Sequence, residues 1–253
     1  STSRGLGDVY KRQEQQLLEA YNRERKNVLV NRALAVFYAS QNKPKEAEQY
    51  LKQLADLTGD LSAQFALVQL YAATGRRPDA DRMLAGLKAR KEASLDATLI
   101  MARLAYADKD TARAYSLVNE ALTASPKDGR VLVIKGQLDL VEHKPADALA
   151  AGKQALASDP NLVDAWIVQG EAYRAQREFE LARASYQEAL RLRPANPMIQ
   201  VALAQLTLAT GQVQEAKQLA QGAMTTAPTA PIARLTMART ALASGDLGRA
   251  QTE

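Results

Sequence analysis

The chain has 253 residues, 47% of them hydrophobic and only 5% aromatic, with 33 basic against 28 acidic side chains and a net charge of +5. Lacking cysteine, it can form no disulfide, thiolate metal site or thiol nucleophile. The basic excess is mild and scattered, which excludes the clustered patch of a nucleic-acid binder, and no run of 18 apolar residues is present to cross a membrane. Alanine and leucine fill long stretches, which favours close-packed helices over a β-sandwich.

In chain order, residues 1–13 come first and show neither helical periodicity nor an apolar face. This string resembles a translated adapter tract found at the ends of assembled reading frames, and a non-native or disordered leader is expected. No apolar segment follows Lys11 and Arg12, so it is not a signal peptide. Helical spacing begins near Glu14, and residues 14–27 are expected to be the remaining helix of a preceding repeat. Residues 28–253 then divide into about seven units starting near Val28, Leu61, Leu95, Gly129, Val163, Pro197 and Pro231. The last unit stops at Glu253, soon after Ala250 and inside its own second helix. A repeat array needs a capping element, so a truncated final repeat and a fragment of a longer protein are expected.

The units rest on four ladders in one register. Pro126, Pro160, Pro194 and Pro228 are each 34 residues apart. Ala80, Ala114, Ala148, Ala182, Ala216 and Ala250 keep the same interval, with Ala47 one residue out of step. Ala121, Ala155, Ala189 and Ala223 form a third ladder, and Ala102, Gly136, Gly170, Ala204 and Ala238 a fourth. Within the unit from Val163, the apolar residues Leu162, Ala165, Trp166 and Tyr173 recur at helical spacing, as do Leu181, Ala182, Tyr186, Ala189 and Leu190. A break at Gln176-Arg177 joins the two helices into a hairpin. Gly170 and Ala182 are small where two backbones approach, and Pro194 cannot continue a helix interior. The links Ser125-Pro126-Lys127-Asp128 and Asp159-Pro160-Asn161 supply Asp and Asn to cap the incoming helices.

The best unit reads Trp166-x2-Gln169-Gly170-x2-Tyr173, then Ala182-x3-Tyr186, Ala189 and Pro194. It resembles the tetratricopeptide repeat, with Gln169 standing where that pattern has leucine. The unit from Gly129 keeps Gly136, Ala148, Ala155 and Pro160 but has Leu132 and Asp139 at the aromatic positions. The resemblance implies an all-α fold, a right-handed α-solenoid of tandem helix-turn-helix repeats. Trp166→Ala is expected to cost roughly 3–5 kcal/mol through the cavity it leaves.

No catalytic constellation can be assembled, and no enzyme activity is expected of this segment. The lone histidine, His143, falls in an intra-hairpin turn whose slot elsewhere holds Gly75, Lys109, Arg177, Gly211 and Gly245, which marks an exposed turn. Glu178 and Glu180 lie at a helix start, where carboxylates favour the positive end of the dipole. Zinc-binding and phosphate-cradling motifs are absent, and Gly5-Leu6-Gly7 is followed by Tyr10 in place of a third glycine. No cofactor, metal or small-molecule substrate is therefore expected.

In the resembled family the concave surface is lined by a stripe of the first helix, here Ile167, Glu171 and Arg174. Carried across the units, one row is apolar: Phe65, Leu99, Val133, Ile167, Val201 and Leu235. Its neighbour is polar throughout, with Gln69, Arg103, Gln137, Glu171, Gln205 and Arg239. A third row contains Tyr106, Leu140, Arg174, Leu208 and Leu242. The expected partner-binding residues are Gln69, Arg103, Tyr106, Gln137, Glu171, Arg174, Gln205 and Arg239, facing a protein or peptide. The lysine, asparagine and arginine clamp for C-terminal carboxylates in many such proteins is missing. The principal expectation is thus a non-catalytic interaction scaffold. Two alternatives accompany it: the regulatory arm of a larger enzyme such as a glycosyltransferase, or a cell-envelope assembly factor. The Ala-rich, loosely patterned units resemble those of large exported bacterial proteins linked to exopolysaccharide or outer-membrane biogenesis. Cytoplasm and periplasm both fit, with any export signal lying outside this stretch.

Overall fold

The computed structural model describes the backbone of residues 2–246 and side chains from residue 8 onward. Over that span it holds fourteen α-helices and no strand, an all-α helical repeat solenoid. The helices divide between two compact units, Ser1–Met101 and Ala102–Glu253.

In the first unit α1 (Thr2–Arg23) precedes two hairpins, α2 (Val28–Ser40) with α3 (Pro44–Thr58) and α4 (Leu61–Ala73) with α5 (Arg77–Lys88). The unit boundary falls within α6 (Ser94–Ala107). The second unit continues through α7 (Thr111–Ala124), α8 (Gly129–Val141), α9 (Pro145–Ser158), α10 (Val163–Ala175) and α11 (Phe179–Leu192). It then runs through α12 (Pro197–Ala209), α13 (Val213–Thr226) and α14 (Pro231–Ala243). Residues 247–253, with Ala250 and the second helix expected of the last repeat, lie outside the described residues.

The helix expected to begin near Glu14 begins instead at Thr2. No proline interrupts Thr2–Arg23, and a helix-interior glycine costs only about 1 kcal/mol. That is too little to end a helix anchored further along, where Leu17, Leu18 and Tyr21 pack on the cluster of Leu34, Tyr38 and Tyr50.

Each intra-hairpin turn closes with the same pair of backbone bonds. Lys144 N–H donates to Asp139 O at 2.7 Å and His143 N–H to Leu140 O at 3.1 Å, the two bonds of a Schellman motif. Arg76 with Tyr71 and Gln212 with Thr207 repeat the first bond, each at 2.8 Å. The residue in between sits at positive φ: Asn42, Gly75, Lys109, His143, Arg177, Gly211 and Gly245. Between hairpins, side-chain caps at Asn27, Asp60, Asp128 and Asn196 receive the first amides of α2, α4, α8 and α12. At α10 the expected capping by Asp159 or Asn161 does not occur: Leu162 holds the cap position, and Asp159 accepts only from Asn161 N–H. The link there is held from the other side, by the Trp166 indole N–H donating to Pro160 O at 2.9 Å.

The alanine ladder marks the packed face of each second helix. Ala47, Ala80, Ala114, Ala148, Ala182 and Ala216 are all fully buried in the second helices of their hairpins. Two glycines of the first helices are required for steric reasons. A Cβ on Gly136 would stand 2.6 Å from Val168 Cγ1, and one on Gly170 2.6 Å from Tyr186 Cε1. With such close approach, whole aromatic and aliphatic side chains such as Tyr186, Leu34 and Leu84 leave water completely, each worth about 1.5–3 kcal/mol for an aliphatic side chain.

Candidate partner-binding groove

In the first unit a groove of about 530 Å³ opens between α2 and α4. Ala35, Val36 and Ala39 of α2 and Ala63, Ala66 and Ala73 of α4 line it, with Leu51 and Leu54 of α3 behind them. Val36 is 64% exposed, a branched aliphatic side chain held in water with no cover. Most polar side chains along the groove are already engaged. Arg32 donates to Asp60 at 3.2 Å, the Ser62 hydroxyl donates to the same carboxylate at 2.7 Å, and the Thr74 hydroxyl donates to Leu70 O at 2.8 Å. The hydrogen bonds from Ser62, and after them the Arg32 charge, hold Asp60 below the usual carboxylate range. Gln69 lines this groove and is exposed. A second, shallower opening between α1 and α2 shares Arg32 and Val36 and adds Leu17, Leu29, Ala33 and Phe37.

In the second unit the expected row is treated unevenly. Arg103, Arg174 and Arg239 are exposed, while Tyr106, Gln137, Glu171 and Gln205 are half-buried. Glu171 and Arg174 meet each other and Tyr186 as well. The Tyr186 hydroxyl donates to Glu171 Oε1 at 2.7 Å, and Arg174 donates to Oε2 through Nε at 3.0 Å and through Nη2. Burial, and then the Glu171 charge, push the Tyr186 hydroxyl far above its usual range, so it stays a donor. Both oxygens of Glu171 are thus committed within the chain. Gln205 Nε2 donates to Thr236 Oγ1 at 3.3 Å, tying α12 to α14. In the apolar row Leu99, Val133 and Val201 are buried, Phe65 and Ile167 are half-buried, and Leu235 is 47% exposed.

Leu29, Arg32 and Val36 escaped the sequence reading. A signal for Arg32 and Val36 exists: Ala47 lies 33 residues before Ala80, so the first repeat is one residue short. Stepping back by that interval from Phe65 and Gln69 lands on Arg32 and Val36. The polar row therefore turns aliphatic at the first hairpin.

His143 is exposed in its turn. Among the described residues no group of three or more His, Asp or Glu side chains gathers to hold a metal ion. No described helix is long and apolar enough to cross a membrane.

Tetratricopeptide repeat models match residues 32–64, 135–197 and 167–231, together just over half of the chain. Human protein O-mannosyl-transferase TMTC1 is 23% identical over 178 residues, spanning 68% of this chain and 20% of that protein. Among solved structures, the Cut9–Hcn1 hetero-tetramer of the APC/C aligns with a TM-score of 0.67 at 15% identity, covering 91% of this chain and 46% of that one. PilW, described as a widely conserved type IV pilus biogenesis factor, aligns with a TM-score of 0.64 at 21% identity, covering 76% and 89%. At such identities the structural likeness speaks for the fold alone. It agrees with the buried alanine ladder and with the models in sequence, and the chain belongs to the tetratricopeptide repeat family.

Proposed function

We propose that this chain holds a partner protein or peptide along the first helices of its hairpins and performs no chemistry there. The observation that carries this reading is the open α2–α4 groove, where Val36 stands 64% exposed among alanines. Exposed aliphatic surface gathered in a concave site is the ordinary mark of a binding site. Exposed Gln69 at its edge supplies a polar contact there, and within the second unit Arg103, Arg174 and Arg239 are the exposed members of the same row. The test is site-specific photo-crosslinking in the source cells. A photoreactive side chain at position 36 or 69 should trap a defined partner, and one at exposed Arg82 of α5 should not. Equal labelling from all three positions would remove the groove from the proposal.

A second reading has one observation behind it. The likeness to a mannosyl-transferase, of which the chain spans 20%, fits a repeat arm serving a larger glycosyltransferase. On that reading the partner trapped from position 36 carries, or co-purifies with, sugar-transfer activity.

A further inference from the structure

An extended peptide brings one N–H and one C=O per residue into any groove, and each needs a partner once water is displaced. The α2–α4 groove can supply few of them. Its walls are helices whose backbone groups are bonded within themselves, so it offers no strand edge to pair with. Of the polar side chains along it, Ser62 is held by Asp60 and Thr74 by the backbone of its own helix, which leaves Asn42, Gln69 and the donors of Arg32 that Asp60 does not take, too few for the amide and carbonyl that every residue of an extended segment brings. A helix, by contrast, satisfies its own backbone and presents only side chains. The walls suit one: Ala35, Ala39, Ala63, Ala66 and Ala73 leave room for a third helix to lie close with large side chains inserted between them. Charge sets the remaining condition. Arg32 is the sole ionised side chain lining either opening, its side chain is 55% exposed, and no carboxylate lines either one. A guanidinium has five donors, and Asp60 takes one of them here.

We infer that the α2–α4 groove receives an amphipathic α-helix of a partner protein, with aliphatic residues at i, i+3 or i+4, and i+7, and a flanking carboxylate on Arg32. This rests on the groove reading above.

The test is a displayed library of 14-residue peptides selected on the intact chain. Half of its members carry an i,i+4 lactam that enforces a helix, and half carry a central proline that forbids one. Selected ligands should come from the lactam half and show the aliphatic spacing. Val36→Asp should weaken them at least tenfold. Arg32→Glu should weaken the acid-bearing ligands and be rescued when the peptide acid becomes lysine. Val36 is exposed, so far-UV dichroism and unfolding of Val36→Asp should match the parent; Ala39→Lys, at another exposed position, serves if they do not. Proline-bearing ligands that Val36→Asp abolishes would overturn the helix while leaving the groove in place. Ligands indifferent to both groove variants would overturn the groove reading and the helix with it. Concentration-dependent self-association abolished by Val36→Asp would make the occupant a second copy and overturn the assignment to a partner.

Discussion

At His143 the backbone φ is +57°, where the Cβ of an L residue crowds the carbonyl that follows, at about 1–2 kcal/mol. Asn42, Lys109 and Arg177 carry the same burden at φ of 55°, 62° and 63°. The turn compels it, because the amide after each of them must reach back to close the first helix. Glycine relieves the crowding but has more backbone freedom to lose on folding. His143→Gly should therefore stabilise the fold by a net of about 0.5–1 kcal/mol, seen as a higher urea midpoint. Gly75→Ala, at φ +75°, should lower it. Trp166 calls for a smaller figure than its sequence suggested. Its indole is half-buried, so Trp166→Ala should cost about 2–3 kcal/mol rather than the value for a fully enclosed ring. Trp166→Phe removes the hydrogen bond to Pro160 O and should cost about 1 kcal/mol. Gln200 makes the equivalent bond to Pro194 O at 3.1 Å, so Trp166→Gln should keep that part of the stability. A Trp166→Phe midpoint equal to the parent's would show that the bond contributes nothing.

Between elements, Glu48 of α3 is the clearest clamp. Lys52 approaches it at 2.7 Å, Arg76 at 2.6 Å, and the Tyr71 hydroxyl donates to it at 3.1 Å, binding α3 to the α4–α5 turn. Burial alone would raise the carboxyl, but the hydrogen bonds from Lys52, Tyr71 and Arg76 outweigh it and hold Glu48 below its ordinary range. A depressed carboxyl contributes stability above its unfolded value, near 4.3, and loses that contribution as pH falls through the folded value. Glu48→Gln should therefore cost about 1–3 kcal/mol at pH 7, and the gap to the parent should close as the medium is taken below about pH 4. A gap that persists unchanged at pH 3 would assign the effect to packing. This clamp was not legible in the sequence, since it joins residues 28 apart whose types are ordinary surface ones. The hairpins were legible because backbone approach allows only Ala or Gly at Ala182, Gly136 and Gly170, and those constraints recur at a fixed interval. The aliphatic end of the groove was legible only to a count that allows for the short first repeat, which takes Val36 out of the common register. Nor did spacing reveal that Glu171 would be consumed by Tyr186, since the equivalent positions hold Gly152 and Ala220.

At the scale of the whole molecule, a hairpin in a repeat array rests chiefly on its neighbours, so damage should stay local and fade along the chain. Gly170 offers a sharp probe. A methyl there would stand 2.6 Å from Cε1 and 2.8 Å from Cδ1 of Tyr186, a ring with no exposed surface to retreat into. Its hydroxyl is also held by Glu171, which resists a rotamer change. Gly170→Ala should therefore cost about 1–3 kcal/mol by overpacking. Native-state hydrogen exchange should place the loss in α10 and α11, with a smaller loss in the adjoining α9 and α12. Amides of α3 and α4, in the first unit, should exchange as in the parent. The partner affinity of the α2–α4 groove should likewise be unchanged, because none of its lining lies in the damaged hairpin. Were protection to fall evenly across both units, the chain would unfold as one cooperative body. The groove would then share its stability with every repeat, and local damage would be transmitted rather than absorbed.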